Sequence, residues 1–158
     1  GRFHLTHMGN DREGPTPHPV IVHRAGLGIL VRSIGVVLEH TQGKLPLGIT
    51  PYPMAIVTVM PEFETQAEQL RSHLKKSLSA YGVHLQIDTD YSSDDIRQKI
   101  KKKERMRYAM ILTIGQREAE GIESDLGNAN IAVRQNKKIQ NMTPSDIVSQ
   151  VSQAYNLC

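Results

Sequence analysis

The densest group of ionic side chains in this sequence is a basic run between residues 97 and 107. Seven cations stand there against one acid, Glu104, and they are Arg97, Lys99, Lys101, Lys102, Lys103, Arg105 and Arg107. Phosphates are the obvious partner, because each neutralised phosphate adds a salt-dependent increment of affinity through counterion release. The run predicts a polyanion-binding surface, with Lys101, Lys102 and Arg105 as RNA contacts. A solvated helix surface that only keeps the protein soluble is the alternative.

Two more charged residues, Glu118 and Arg134, stand at the ends of predicted strands. In open α/β sheets, ligands commonly lie at strand ends. A carboxylate there can accept hydrogen bonds from base amino groups, and an arginine can stack on a base or fork to a phosphate. Each residue, taken alone, also suits an ordinary surface charge.

His23 offers a metal ligand, an acid or base, or simply a packed histidine. A zinc site needs three or four convergent ligands. The remaining histidines form no pair with ligand spacing on one helix face; they are His4, His7, His18, His40, His73 and His84. No residues resemble a nucleophile with its base. The residues therefore predict no autonomous metal site, no cofactor and no catalytic residues.

Apolar periodicity predicts the elements that position these side chains. Helical stripes run from Leu27 to Leu38, from Ala67 to Tyr81 and from Ile147 to Tyr155. Strands are predicted at 3–8, 20–22, 54–60, 83–87, 108–114 and 131–133. Such alternation favours an α/β fold, with a mixed or parallel sheet and helices on both faces.

Composition limits the setting. The chain has 158 residues, a net charge of +3 and a pI of about 9.1. Cys158 is the only cysteine, so no internal disulfide can form, and a reducing, intracellular setting is expected, either mitochondrial or cytoplasmic. No apolar run reaches the roughly 18 residues that a membrane helix needs, so no membrane partner is predicted.

One motif in the first third is specific. The segment His23-Arg24-Ala25-Gly26-Leu27-Gly28, followed by Arg32, Glu39-His40 and Gly43-Lys44, resembles the third signature motif of threonyl-tRNA synthetases, which are class II aminoacyl-tRNA synthetases. From Pro51 onward the chain is similar in length and element order to the anticodon-binding domain of that family. That part includes the stretches 114–118 (IGQRE) and 131–134 (IAVR).

The resemblance implies two domains. Residues 1–44 would be a remnant of the class II catalytic domain, a strand pair with a helix. Residues 45–158 would be an anticodon-binding-like domain, with a mixed sheet of about five strands flanked by helices.

The resemblance also assigns roles to individual residues. The positions matching Arg107, Glu118 and Arg134 contact the anticodon in that family. The arginine matching Arg32 binds ATP, and the histidine matching His23 is one of three zinc ligands. The other two zinc ligands and the first two signature motifs would lie upstream and are absent from this sequence. The resemblance therefore implies vestigial roles for Arg32 and His23, and a chain that is not catalytic by itself.

Several positions depart from the family pattern. Ile29 and Val31 replace a small polar residue and a glutamate, and Ser93 and Asp95 replace an asparagine and a lysine near the anticodon. The expected function is a tRNA anticodon-binding module, either a piece of a synthetase or a degenerate stand-alone relative. The alternatives are a structural component of a large ribonucleoprotein, such as a mitochondrial ribosome with its ribosomal RNA, and a protein-only accessory subunit. A protein partner is expected to cover residues 2–39, because their apolar helix face needs a cover.

Overall fold

The computed structural model describes residues 22–26 and 28–156. Five helices, five strands and two short 3-10 turns follow in the order α1 Leu30–Thr41, a turn at Leu47–Ile49, β1 Met54–Thr58, a turn at Pro61–Phe63, α2 Glu64–Ala80, β2 Ile87–Asp90, α3 Ile96–Arg105, β3 Met110–Ile114, α4 Gln116–Ser124, β4 Ile131–Gln135, β5 Lys138–Met142 and α5 Pro144–Asn156, as counted over those described residues. The strand predicted at 3–8 lies outside the described residues, as do residues 20 and 21 of the strand predicted at 20–22.

The chain divides into two units, residues 1–36 and 37–158, and the division falls within α1. In α1 the predicted helix is confirmed, and it ends where the N–H of Gly43, at φ +72°, donates to the carbonyl of Leu38. Its apolar side chains are exposed to solvent: Leu30 is 59% exposed and Val31 is 78% exposed. The proposed boundary at residue 44 stays a prediction.

The second unit contains one mixed sheet in the order β2-β1-β3-β4-β5. β1 pairs in parallel with β2 and β3, whereas β4 runs antiparallel to both β3 and β5. Every residue of β1 is buried, as a central strand that is covered on both faces requires. The predicted α/β class and mixed sheet of about five strands are confirmed.

One face of the sheet carries most of the apolar core. Ile56, Leu112 and Val133 lie on this face, and α2, α4 and α5 cover it with side chains that are almost completely buried, namely Leu70, Leu74, Leu78, Ile122, Ile147 and Val151. These residues recur at helical spacing because one stripe of each helix faces the sheet. We call this the apolar face.

The opposite face has α3 as its cover. Its apolar contacts are few: Ala55, Val57, Tyr108 and Ile111 form a small cluster against Ile96 of α3. We call this the α3 face. Helices therefore lie on both faces, as predicted.

The structure differs from the sequence prediction in three elements. β2 begins at Ile87, four residues later than predicted. α4 and β5 were not predicted at all. The N-cap of α3 is Asp95, while the Ser92 hydroxyl donates to the Asp90 carboxylate, 2.8 Å away. α5 begins with a capping box, since Thr143 and Asp146 exchange its hydrogen bonds.

Candidate nucleic-acid interface

Two lysines of the basic run point into the protein and attach α3 to the sheet. The side chain of Lys99 is almost completely buried, and its Nζ donates to the carbonyl oxygen of Thr58, 2.9 Å away. Lys103 Nζ lies 4.0 Å from a carboxylate oxygen of Asp90 and 5.1 Å from the ring centroid of Tyr108. Buried ammonium groups need such partners, because desolvation is costly. These two cations are therefore not available to a ligand in this conformation.

A polar cluster below α3 surrounds Lys103. The Tyr108 hydroxyl donates to the carboxylate of Asp88, and the Tyr52 ring packs on the Tyr108 ring with centroids 5.2 Å apart. Burial raises the pKa of Tyr108, and the hydrogen bond to Asp88 raises it further. Burial also acts to raise the pKa of Asp88 and Asp90. Hydrogen bonds from neighbouring side chains and the charge of Lys103 outweigh that effect, so both pKa values lie below their ordinary range.

The outward side of α3 carries the remaining charge of the run. Arg97, Lys101, Lys102 and Arg105 are all exposed. Their guanidinium and ammonium groups project from the same ten-residue helix whose Lys99 and Lys103 are turned inward. We call these four residues the basic ridge. It can attract a polyanion without changing the contacts that hold α3 on the sheet.

Next to the end of α3 lies a cleft of about 590 Å³, which we call the basic cleft. Four cations line it: Lys44, Arg107, Arg134 and Lys137. Arg134 Nη1 lies 3.3 Å from Glu104 Oε1, and the two side chains are 28% and 36% exposed. The cleft therefore offers several hydrogen-bond donors to an anionic or base ligand, one of them already engaged by a carboxylate.

The backbone around the basic cleft adopts unusual conformations. Arg107 has φ +63°, and Asn136 and Lys137 in the turn between β4 and β5 have φ +49° and +67°. These three are among the four non-glycine residues with positive φ in the described part of the chain; the fourth, Gln42, precedes Gly43 of the cleft lining. All three are usual places for such a conformation, since Arg107 ends α3 and Asn136-Lys137 close the two-residue β4–β5 hairpin. The ends of these elements thus form part of the cleft lining.

Glu118 lies elsewhere. It follows the C-terminal end of β3, whereas Arg107 precedes β3 and Arg134 is paired with Ile111 near its N-terminal end. The distance along the strand is about 10 Å or more. The Glu118 side chain accepts a hydrogen bond from the Gly115 N–H at 3.0 Å, which caps α4, and it lines a second cavity of about 480 Å³ with Arg117 and Asn128.

The structure thus brings two of the three sequence-predicted anticodon residues together. Arg107 and Arg134 share the basic cleft, and Glu118 does not line it. A position at a strand end does not by itself distinguish Glu118 from Arg134. β4 is antiparallel to β3, so the C-terminal end of β4 lies beside the N-terminal end of β3.

Two cleft residues were missed by the sequence analysis. Lys44 is the last residue of the predicted catalytic-domain remnant, and Lys137 lies in a turn before a strand that was not predicted. The pair Asn136-Lys137 was the available signal, since asparagine favours left-handed turn positions. Its second residue is not glycine, which weakened that signal.

The described residues of the first unit, 22–26 and 28–36, offer no completed site. His23 and Arg32 are both exposed. Within residues 22–26 and 28–156, no group of three or more His, Cys, Asp or Glu side chains could hold a metal ion, so these residues do not fit a zinc site. In the same residues, no helix has the length and apolar character needed to cross a bilayer.

Comparisons with known proteins agree with this geometry. A family model described as the anticodon binding domain matches residues 54–154. A threonine–tRNA ligase of Phocaeicola vulgatus is 35% identical over 133 residues, which is 84% of this chain and 18% of the relative. A probable cytoplasmic threonine–tRNA ligase of Dictyostelium discoideum is 30% identical over 152 residues, 96% of this chain and 20% of the relative. The chain thus spans about one fifth of the length of these relatives.

The fold has solved counterparts as well. The crystal structure of the RNA binding domain of threonyl-tRNA synthetase from Cryptosporidium parvum superposes with a TM-score of 0.61 at 23% identity, over 78% of this chain and 28% of that one. At this identity the likeness concerns the fold alone. The resemblance identified from the sequence is confirmed.

Proposed function

Because this chain belongs to the anticodon-binding domain family, we propose that it binds tRNA through the anticodon loop. The observation that carries the proposal is the basic cleft, which Arg107 and Arg134 line together with two lysines. Splayed bases and their phosphates are recognised by such donors, because arginine both stacks on a base and forks to oxygen atoms. The basic ridge supplies non-specific attraction along the flanking stem.

Two kinds of contact are therefore proposed. Arg107 and Arg134 act inside the cleft and select the loop, together with the newly found Lys44 and Lys137. Lys101, Lys102 and Arg105 act from the ridge on phosphates. Phosphate contacts position a nucleic acid, whereas base contacts specify it. The two sets should be separable by mutation.

The experiment is a fluorescence anisotropy titration of the full chain with a threonine-tRNA anticodon stem-loop and a stem-loop of unrelated anticodon. In the unmutated chain the threonine stem-loop should bind more tightly. Arg107→Gln with Arg134→Gln should remove that preference. Lys101→Gln with Lys102→Gln should weaken both RNAs alike and reduce the steepness of the salt dependence by about 0.7–0.9 per lost phosphate contact.

The matched control is Lys75→Gln with Lys76→Gln, two exposed lysines of α2. These changes remove the same charge from the other side of the domain and should leave the affinity nearly unchanged. An equal loss from the α2 pair would show only a response to net charge. Equal affinity of the unmutated chain for both stem-loops would contradict anticodon selection.

Glu118 is proposed to contact the RNA separately, outside the basic cleft. Its carboxylate already caps α4, so Glu118→Gln tests both roles. A loss of discrimination at unchanged folding would support an RNA contact that reaches the far end of β3. Unchanged discrimination would leave Glu118 with the capping role.

We further propose that the chain is not catalytic by itself. Residues 1–44 would form the vestige of a catalytic domain, with Arg32 a former ATP ligand and His23 a former zinc ligand. Both side chains are exposed, and neither has a partner set for that chemistry among the described residues. Threonine-dependent exchange of pyrophosphate into ATP should stay at background.

A protein partner that covers residues 2–39 is the remaining proposal. The supporting observation is the exposed apolar side of α1, where Leu30 is 59% exposed and Ile34 50%. Such a partner also fits the alternative function, a structural place in a large ribonucleoprotein. Retention of the native protein in a large particle through sedimentation at about 0.5 M salt, well above physiological ionic strength, would favour that alternative. Release as free protein would count against it.

A further inference from the structure

Glu104 occupies an unusual position in the basic cleft. Among the described residues that line it, Glu104 is the sole acid and faces Lys44, Arg107, Arg134 and Lys137. Its carboxylate contacts Arg134 through one atom pair at 3.3 Å. Strong arginine–carboxylate pairs are bidentate and about 2.7–2.9 Å long. The contact is therefore a weak one that a ligand can replace.

The two partners differ in freedom of movement. Arg134 belongs to β4, which is hydrogen-bonded to β3 on one side and β5 on the other. Its backbone is therefore fixed beside the cleft. Glu104 stands in the last turn of α3 with a side chain that is 36% exposed, so its carboxylate can swing into solvent. An anionic ligand repels the carboxylate and attracts the guanidinium, so in an exchange the carboxylate leaves and the arginine remains.

A phosphate oxygen and a carboxylate oxygen need the same N–H donors of Arg134. They also repel one another when both are in the cleft. We propose that Glu104 is a built-in competitor, whose carboxylate holds Arg134 in the free protein and must be displaced by an anionic ligand. The identity of that ligand as RNA rests on the proposed function. The displacement lowers the affinity of the cleft for every polyanion. Only ligands that make further contacts in the cleft therefore bind tightly.

The test is Glu104→Gln, which keeps the size of the side chain and removes its charge. The affinity of the full chain for the threonine stem-loop should rise about three- to tenfold at about 0.1 M salt, since an exposed ion pair and a repulsion are both removed. The control is Glu62→Gln, an exposed residue that follows the C-terminal end of β1 and so lies away from the cleft. It removes the same charge and should change affinity less than about twofold, since interactions between separated, exposed charges are screened.

A double-mutant cycle decides whether the effect passes through Arg134. In an Arg134→Gln background the gain from Glu104→Gln should be clearly smaller than in the unmutated chain, because only the repulsion between the carboxylate and the ligand is then left to remove. A full gain in that background, or an equal gain from Glu62→Gln, would overturn the proposal in favour of a general charge effect. Weaker binding by Glu104→Gln would also overturn it and would make Glu104 a residue that positions Arg134 for the ligand.

The competitor can also be tested without RNA. Pyrophosphate is titrated into the protein while the guanidinium signal of Arg134 is followed by NMR. In the Glu104→Gln variant the Arg134 signal should shift at a several-fold lower pyrophosphate concentration than in the unmutated chain. An unchanged titration midpoint would overturn the proposal. If the unmutated chain binds neither stem-loop, the RNA proposal fails, while this titration still decides the role of Glu104.

Discussion

The two faces of the sheet are covered in different ways. On the apolar face, three helices bury a continuous set of leucine, isoleucine and valine side chains. On the α3 face, one helix is attached by Ile96 and by two lysines that reach a backbone carbonyl, a carboxylate and a tyrosine ring. The first cover is non-directional, and the second depends on particular atoms meeting.

The difference shows how a helix can carry a high charge and still pack. Besides Glu104, α3 presents four exposed cations, and two of its inward positions are Lys99 and Lys103. These two side chains pack because a lysine buries an aliphatic stem and brings its charge to a polar partner. The stability of the domain should therefore come mainly from the apolar face.

The largest expected effect is on the apolar face. Leu74→Ala should lower the free energy of unfolding by about 3 kcal/mol, because it removes buried methyl groups and leaves a cavity. Urea denaturation followed by circular dichroism measures this loss. Leu38→Ala, at a leucine that is 41% exposed, is the control and should cost far less. Similar losses at both positions would remove the distinction between the core and an open helix.

The next effect concerns the contacts that attach α3 to the sheet. Lys99→Met keeps the stem and should lower the free energy of unfolding by about 1–2 kcal/mol, because the Thr58 carbonyl loses its buried donor. Lys102→Met, on the basic ridge, should stay within about 0.5 kcal/mol. If Lys99→Met is neutral or stabilising, relief of the desolvation of a buried charge outweighs the lost bond. The stem alone would then hold the helix.

Acidification should weaken the α3 face. The folded pKa values of Asp88 and Asp90 lie below their ordinary range, so the unfolded chain takes up protons first as the pH falls. The stabilisation from these carboxylates is complete above about pH 4–5 and is lost as the pH falls through the folded values, with a slope of at most about 1.4 kcal/mol per pH unit and proton. Urea midpoints between about pH 5 and pH 3, bracketing that ordinary range, measure the slope.

In this pH series Asp90→Asn should flatten the slope, and Asp94→Asn, at an exposed position, should not. The slope should not vanish, because the pKa values of Glu68, Asp125 and Asp146 are also lowered. An unaltered slope in Asp90→Asn would show that the acid response arises outside the α3 face.

The smallest expected effect on stability concerns the basic ridge. Replacing Arg97, Lys101, Lys102 and Arg105 together by glutamine should change the free energy of unfolding by less than about 1 kcal/mol, because these side chains are exposed. Thermal unfolding measures it. A large loss of stability would mean that the outward charges also hold α3 on the sheet. The basic ridge and the contacts that attach α3 would then not be separate.

Sequence patterns predicted the elements whose burial leaves a strong periodic signal. β1 and β3 are continuous apolar runs, and α2 repeats its leucines at helical spacing. β5 was missed because its residues Lys138–Met142 are mostly exposed, so that only pairing with β4 defines the strand. α4 was missed because its nine residues bury only Ala119 and Ile122.

The site was predictable in part. Exposed Lys101, Lys102 and Arg105 follow from the composition of the run, but the inward direction of Lys99 and Lys103 does not, since lysine is rarely buried. The spacing of Ile96, Lys99 and Lys103 on one helix face was the available clue. That Arg107 and Arg134 meet depends on the antiparallel direction of β4, which no local pattern contains.

β3 lies between a parallel neighbour and an antiparallel one, and this position has a consequence for the order of folding. The β4–β5 hairpin closes through a two-residue turn, so its contacts are local and should form within about 1–10 μs. Pairing of β1 with β2 joins Met54 to Ile87, and pairing with β3 joins Met54 to Met110, so both need long loops to close. Because non-local pairing is slow, β1, which pairs with both β2 and β3, should be the last strand to dock. Until it does, its four apolar residues, Met54 to Val57, are the segment of this chain most exposed to aggregation.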